Sequence, residues 1–235
     1  MFSKIEIGDL IASKGSDQQR LFENAREARD RNGRILYLRA VVELSSYCRQ
    51  DCFYCPMRRS NYDLERYRLD ADHIVSASEK AGDLGMRTIV LESGEDHTIV
   101  DMVADSTKRL KQNKYRVELR LGDLSKDDYR KLRDAGADAY VLSFETSNSE
   151  LFATIRPGTT LKERLENLKF LRNLGFEIGT GNVVGLPRQT TESLIDDILL
   201  ASCLDPNMIS ASPFIPPGNT PFETSPRGYC HLLWT

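Results

Sequence analysis

The chain has 235 residues, a formal net charge of −3 and 29% charged side chains, which suits one globular domain with a sizeable core and is too balanced to favour a polyanionic partner. No apolar run approaches the ~20 residues that cross a bilayer, and the opening Met1-Phe-Ser-Lys-Ile-Glu-Ile-Gly-Asp9 alternates charge with apolar residues instead of building a signal-peptide core. No membrane, no nucleic acid and a cytoplasmic location are therefore expected, the basic stretch Arg58-Arg59 to Arg66-Tyr-Arg68 being broken by Asp63 and Glu65.

The first thirty or so residues read as helical, with Leu10, Ile11, Leu21, Phe22 and Ala25 at helical spacing and a stop at Asn32-Gly33. Residues 1–34 are expected to form a helical cap. From Ile35 a short apolar, β-branched run is followed by a loop and an amphipathic helix, and six such units can be counted. Strands are predicted at Leu36 to Leu44, Thr88 to Leu91, Arg116 to Leu121, Ala139 to Phe144, Glu177 to Val184 and Met208 to Ser212. Helices are predicted near Ala71 to Leu84, Val100 to Gln112, Lys126 to Ala135, Leu161 to Leu174 and Thr191 to Leu204, with stops at Gly82, Gly136 and Gly175. This alternation implies an α/β fold of parallel βαβ units, either a doubly wound sheet or a (β/α) barrel, and the regular recurrence favours the barrel. A closed eightfold barrel takes about 250 residues, so a partial barrel of six units is expected over residues 35–222, followed by an irregular tail at 223–235 that is either natural or the mark of truncation.

Three of the five cysteines, Cys48, Cys52 and Cys55, fall within eight residues in the loop after the first strand, which is no pattern for a secreted disulfide framework. In a barrel that loop lies on the C-terminal face, where active sites are built. A cubane iron–sulfur cluster normally takes four thiolates, one per iron. Three leave one iron open to chelate the amino and carboxylate groups of S-adenosylmethionine (SAM), whose reductive cleavage gives methionine and a 5′-deoxyadenosyl radical. The alternative is structural zinc, but the nearest histidines after Cys55, His73 and His97, offer no zinc-binding pattern for a fourth ligand.

The run Tyr47-Cys-Arg-Gln-Asp-Cys-Phe-Tyr-Cys-Pro-Met-Arg-Arg59, with Arg66-Tyr-Arg-Leu69, Thr88 to Asp96, Phe144-Glu-Thr146, Arg156-Pro-Gly-Thr159 and Val184-Gly-Leu-Pro-Arg-Gln-Thr190, resembles the radical SAM superfamily. Within it the resemblance is to the group of the iron–iron hydrogenase maturase HydE, biotin synthase and methylornithine synthase, over roughly residues 20–222. It implies a TIM-barrel-type core, a 4Fe-4S cluster on Cys48, Cys52 and Cys55, SAM as cosubstrate, a small-molecule substrate and an electron donor such as flavodoxin or ferredoxin. A HydE-like role in hydrogenase maturation is the leading reading; a methylornithine-synthase-like mutase or lyase and an inactive, truncated homologue are the alternatives.

By the same resemblance Gly94 and Glu95 hold the SAM amino group, Glu145 its hydroxyls or amino group, and Arg164 its carboxylate; the small residues of Gly179 to Pro187, with Val184 and Gly185 at the strand's end, suit a flat adenine edge, which Tyr54 is also placed to face. Each has a plainer reading: a helix-capping loop for residues 93–96, which suits Asp96 better than Glu95, ring packing for Tyr54, and a helix-surface position for Arg164. Biotin synthase's second cluster would need cysteines on later strands, and strands two to five carry none. Cys203 reads as a small buried hydrophobe in its apolar helix, and Cys230 has no assigned partner. In the third strand, period-two alternation puts Glu118 and Arg120 on one face and Val117, Leu119 and Leu121 on the other. The charged pair is expected to face the barrel cavity, either binding a zwitterionic, amino-acid-like substrate or forming a buried structural ion pair. HydE carries smaller polar residues at those positions and an arginine where this chain has Ser143.

Overall fold

The computed structural model describes residues 2–31 and 33–228. Six parallel strands, β1 (Arg39–Ser45), β2 (Thr88–Ser93), β3 (Arg116–Arg120), β4 (Ala139–Val141), β5 (Glu177–Val184) and β6 (Met208–Pro213), pair in chain order. A doubly wound sheet reverses direction at a switch point, and this one never does, so the sheet is the singly wound wall of a partial barrel. Among the described residues β1 and β6 do not pair with each other, which leaves the wall open.

The connecting helices are α3 (Ala71–Asp83), α4 (Val100–Gln112), α5 (Lys126–Asp134), α6 (Ser149–Ile155), α7 (Leu161–Asn173) and α8 (Thr191–Leu204), preceded by α1 (Lys4–Ala12) and α2 (Ser16–Arg31). Side-chain caps start most of them: Asp70 accepts from the His73 amide, Ser125 from that of Asp128, and Thr160 forms a reciprocal capping box with Glu163. One face of the sheet, carrying Leu44, Ile89, Leu91, Val117, Leu119 and Leu142, packs against Ile74, Val103, Leu110, Leu132 and Leu171 of these helices. Each such side chain contributes about 1.5–3 kcal/mol when fully buried. The other face, the inner side of the partial barrel, carries Glu43, Glu92, Glu118 and Arg120.

Several expectations are corrected. Strand β1 starts at Arg39 because β2, its neighbour, starts at Thr88, directly opposite; the preceding Ile35, Leu36, Tyr37 and Leu38 have no strand to pair with and are exposed. Helix α3 runs through Gly82, packed against Tyr115, and the left-handed stop is Gly85, with φ of 85°. The short α6, capped by Asn148, was not foreseen. Cys203 is exposed, not buried. The inward side of α8 runs through Leu194, Asp197, Leu200 and Leu204, and residue 203 lies off that stripe. Cys230 lies outside the described residues. At the N-terminus α1 packs on α8, with Gly8 against Ile195, whereas α2 has no buried residue.

Candidate active site

The cysteine loop leaves β1 at the C-terminal mouth of the barrel and is fastened from several sides. Arg66 donates to the carbonyl oxygens of Ser46, Met57 (3.0 Å), Arg58 (2.7 Å) and Asn61 (3.1 Å), closing the loop around one guanidinium. Within it the Asp51 carboxylate accepts from Arg58 Nε at 2.7 Å and Ser60 Oγ at 2.7 Å, and it is held well below the usual carboxylate range by Arg58. The Phe53 amide donates to the Ile155 carbonyl at 2.9 Å, tying the loop to α6. A Cβ on Gly94 would lie 2.6 Å from both Cys48 Cβ and the Tyr47 carbonyl oxygen, so only glycine lets the loop after β2 approach this closely.

Cys48, Cys52 and Cys55 are all free thiols and lie within electrostatic reach of one another. Burial pushes the Cys48 and Cys55 thiols up and that of Cys52 up to about 12, against the pull of Arg156. Such thiols stay protonated until a metal replaces the proton. Among the described residues no three His, Cys, Asp or Glu side chains converge as for a single ion; a cubane cluster takes one thiolate on each iron. The donor set thus fits a cluster with three protein ligands, and the Glu95 amide already donates to Cys48 Sγ at 3.3 Å.

Beside the thiols lies a buried charge network. Glu95, 4% exposed, accepts from Arg156 Nη2 and from Gln50 Nε2, each at 2.6 Å, with Arg49 Nε at 3.4 Å. Burial alone would raise its pKa, but Arg156, Gln50 and Arg164 hold it below the ordinary value. Arg164, 2% exposed, sits with Nη2 3.0 Å from Asp123 Oδ2 and 3.8 Å from Glu95. It is therefore an interior residue, and the surface reading is excluded. Among the described residues Arg156 Nε and Arg164 Nε are buried without a hydrogen-bond partner, whereas Arg164 Nη2 is ion-paired with Asp123 Oδ2. Unspent donors of this kind are costly unless an anionic group accepts from them.

Glu145 ends the β4 segment at φ 63°, a strained conformation for a non-glycine residue. Its carboxyl is pushed up by burial, with Arg156, Arg164 and the Tyr54 hydroxyl pulling the other way. The turn that follows is held by the buried Asp197, which accepts from the Ser147 amide and hydroxyl, each at 2.6 Å, and from Asn182 Nδ2 at 2.9 Å. Val184 and Gly185 close β5, Gly185 at φ 86° with its amide on Gln189 Oε1 at 2.6 Å. Tyr54 serves two ends, its ring against the Leu151, Ile155, Leu186 and Phe214 cluster and its hydroxyl 3.4 Å from Arg156 Nη1.

The structure thus gathers the cysteines, Tyr54, Gly94, Glu95, Glu145 and Arg164 at one mouth, with Val184 and Gly185 on its β5 side. Asp96, by contrast, caps the following 3₁₀ turn through Thr98 and binds Arg68 at 2.6 Å, the capping reading of this loop. Glu118 and Arg120 are not partners: Glu118 pairs with Arg39 at 3.1 Å and Arg116 at 3.3 Å, whereas Arg120 faces Glu92 at 3.8 Å. Gln50 and Arg156 entered the sequence reading only as members of quoted motifs, and Asp123 and Asp197 not at all; their partners are too distant in the chain for spacing to reveal.

The fold and the mouth together are those of an open parallel α/β barrel that carries three free thiols beside buried arginines. The radical SAM superfamily profile matches residues 42–201, and the chain belongs to that superfamily of enzymes. It is 40% identical over 210 residues to the [FeFe] hydrogenase maturase subunit HydE of Thermotoga maritima, covering 88% of this chain and 60% of that protein. Biotin synthase of Streptomyces coelicolor is 30% identical over 221 residues, 91% of this chain and 51% of that one. The crystal structure of methylornithine synthase (PylB) superposes with a TM-score of 0.89 at 24% identity, covering 96% of this chain and 68% of that chain. The chain therefore spans between half and two thirds of the length of these curated relatives.

Proposed function

We propose that the chain is a HydE-like radical SAM enzyme that acts on a small molecule, with hydrogenase maturation as its setting and a flavodoxin or ferredoxin as its electron donor. Cys48, Cys52 and Cys55 would hold a 4Fe-4S cluster, which when bound supplies the electron that splits SAM into methionine and a 5′-deoxyadenosyl radical. The observation that carries this reading is the placement of three free thiols, Cys52 buried and Cys48 and Cys55 half-buried, beside two buried arginines whose Nε donors have no hydrogen-bond partner among the described residues.

The protein's own residues divide the remaining work. Arg156 and Arg164 present buried N–H groups to a carboxylate, as the amino-acid end of SAM requires. Glu145 has no ion pair among the described residues, and it accepts an ammonium more readily than Glu95, whose oxygens Arg156 and Gln50 already occupy. The glycine at 94 lets the cosubstrate's backbone-binding loop sit against the cysteine loop, and Val184 and Gly185 offer a low edge for a flat base. Similarity to HydE supports the specific assignment.

The test is anaerobic reconstitution with iron and sulfide, addition of SAM and a strong reductant, and assay for methionine and 5′-deoxyadenosine. Cleavage that vanishes in C48A, C52A and C55A upholds the reading. Protein that binds iron and sulfide yet never cleaves SAM is an inactive homologue, and protein that retains only zinc overturns the cluster assignment.

A further inference from the structure

The cavity wall carries its charges in two rungs of opposite character. The lower rung is closed: Glu118, 1% exposed, is held by Arg39 and Arg116, and Arg116 also grips Glu177 through two bonds of 2.8 and 2.6 Å. The upper rung is open. Glu43, Glu92 and Arg120 stand side by side in register on β1, β2 and β3. Arg120 Nη1 is 3.8 Å from Glu92 Oε2, beyond hydrogen-bond length, and Arg120 Nε is buried with no hydrogen-bond partner. Glu43 has the Tyr67 hydroxyl at 3.5 Å. The rung thus sets two carboxylates against one guanidinium that keeps a donor unspent.

Its position matters as much as its charge. Two residues further along β2 and beyond β3 come Gly94, packed on Cys48, and Gly122, packed on Glu95. Two strand residues advance about 6.6 Å, so the rung lies one layer beneath the loops assigned above to the cluster and SAM. Beyond it on β4 and β5 the wall continues in Val141 and the buried Gly179, in register with each other, while Val90 and Ala139 are buried at the level of Glu118.

We propose that Glu43, Glu92 and Arg120 form the substrate-recognition site of the cavity and that its ligand is a free α-amino acid, its carboxylate on Arg120 and its ammonium between Glu43 and Glu92. The proposal rests on the radical SAM reading for the chemistry and goes beyond it in naming the substrate class and the residues that select it. An ammonium supplies the second cation that two acids facing one guanidinium lack, and a carboxylate accepts from the exposed part of the Arg120 guanidinium. Burial raises the Glu92 pKa, Arg120 opposes and the Glu43 charge adds to the rise, which a bound ammonium relieves.

The experiment uses the reconstituted protein with SAM and reductant, to which each proteinogenic L-α-amino acid is added singly, together with its α-carboxamide and its N-acetyl derivative. At least one free amino acid should raise 5′-deoxyadenosine formation by about tenfold, while its two blocked derivatives do not. R120Q and E92Q should raise the KM for that amino acid about tenfold or more, with iron content and thermal midpoint close to wild type. R120K, which keeps a charge but not the planar fork, should fall between, and K108Q on the exposed side of α4 should change nothing. The assignment is overturned if no amino acid stimulates cleavage, if blocked derivatives serve equally, or if both rung variants leave KM unchanged. Absence of any SAM cleavage sinks the reading of the preceding section instead. Calorimetric titration of the same amino acids then decides the rung, binding abolished by R120Q upholding it and no binding to wild type overturning it.

Discussion

Gly94 shows how little freedom the mouth of this barrel allows a single residue. With a Cβ 2.6 Å from Cys48 Cβ and the Tyr47 carbonyl, G94A must push the cysteine loop outward. It should lose about 1–3 kcal/mol in denaturant unfolding and bind substoichiometric iron. Arg66 has the complementary role, and R66Q, which leaves loop carbonyls unpaired, should lower iron retention on gel filtration while leaving the helical content intact. Asp96 adds a pH signature. Burial would raise its pKa, but Arg68 and the hydroxyls of Thr98 and Ser45 hold it below the usual value. A lowered carboxyl stabilises the fold above its unfolded pKa of about 3.9, and that contribution is lost as pH falls through the folded value. The stability gap between wild type and D96N should therefore be full at neutral pH and shrink as the pH drops below about 4. The cysteines were legible because a cluster imposes spacing on neighbouring residues. Arg156 was not, because its carboxylate partner lies 61 residues away; nothing local marks an arginine as interior.

At the scale of elements, legibility followed local signals. Helices α4 and α8 and strand β5 have the boundaries that apolar periodicity and capping residues indicate. Errors arose where a neighbour decides the outcome. Leu36 to Leu38 have strand composition but no strand opposite them, and the β4 run is cut short at Val141, after which Leu142 and Phe144 still bond to β5 through the carbonyls of Gly179 and Gly181. Amphipathicity likewise misled at α2, whose Leu21, Phe22 and Ala25 suggest a packed face although no residue is buried. A helix without tertiary cover is marginal in water, so α2 amides should exchange with deuterium far faster than those of α4, which buries Val103 and Leu110 completely. Equal protection of the two helices would show that α2 has a cover in solution.

Over the whole molecule, the consecutive strand order brings the cysteine loop and the buried charge network to the C-terminal ends of the strands, while one face of the sheet packs against the helices. The cavity rungs were half legible, since alternation in β3 revealed an inward Glu118 and Arg120, while only the sheet register showed that their partners differ. A chain of ring contacts links the extremes of the fold. Phe53, between the second and third cysteines, stacks edge-on against Phe222 at 5.7 Å, and Phe222 against Phe214, just past β6, at 5.9 Å. F222A should cost about 1–3 kcal/mol in unfolding and weaken iron retention by freeing Phe53, which stands between two of the cysteines. The three rings act as a clasp thrown across an unclosed crescent, from the segment leaving its first stave to the segment leaving its last. Tightening at one side is then transmitted to the other: taking up iron and sulfide should slow deuterium uptake in β6, a strand that contributes no thiol to the cluster.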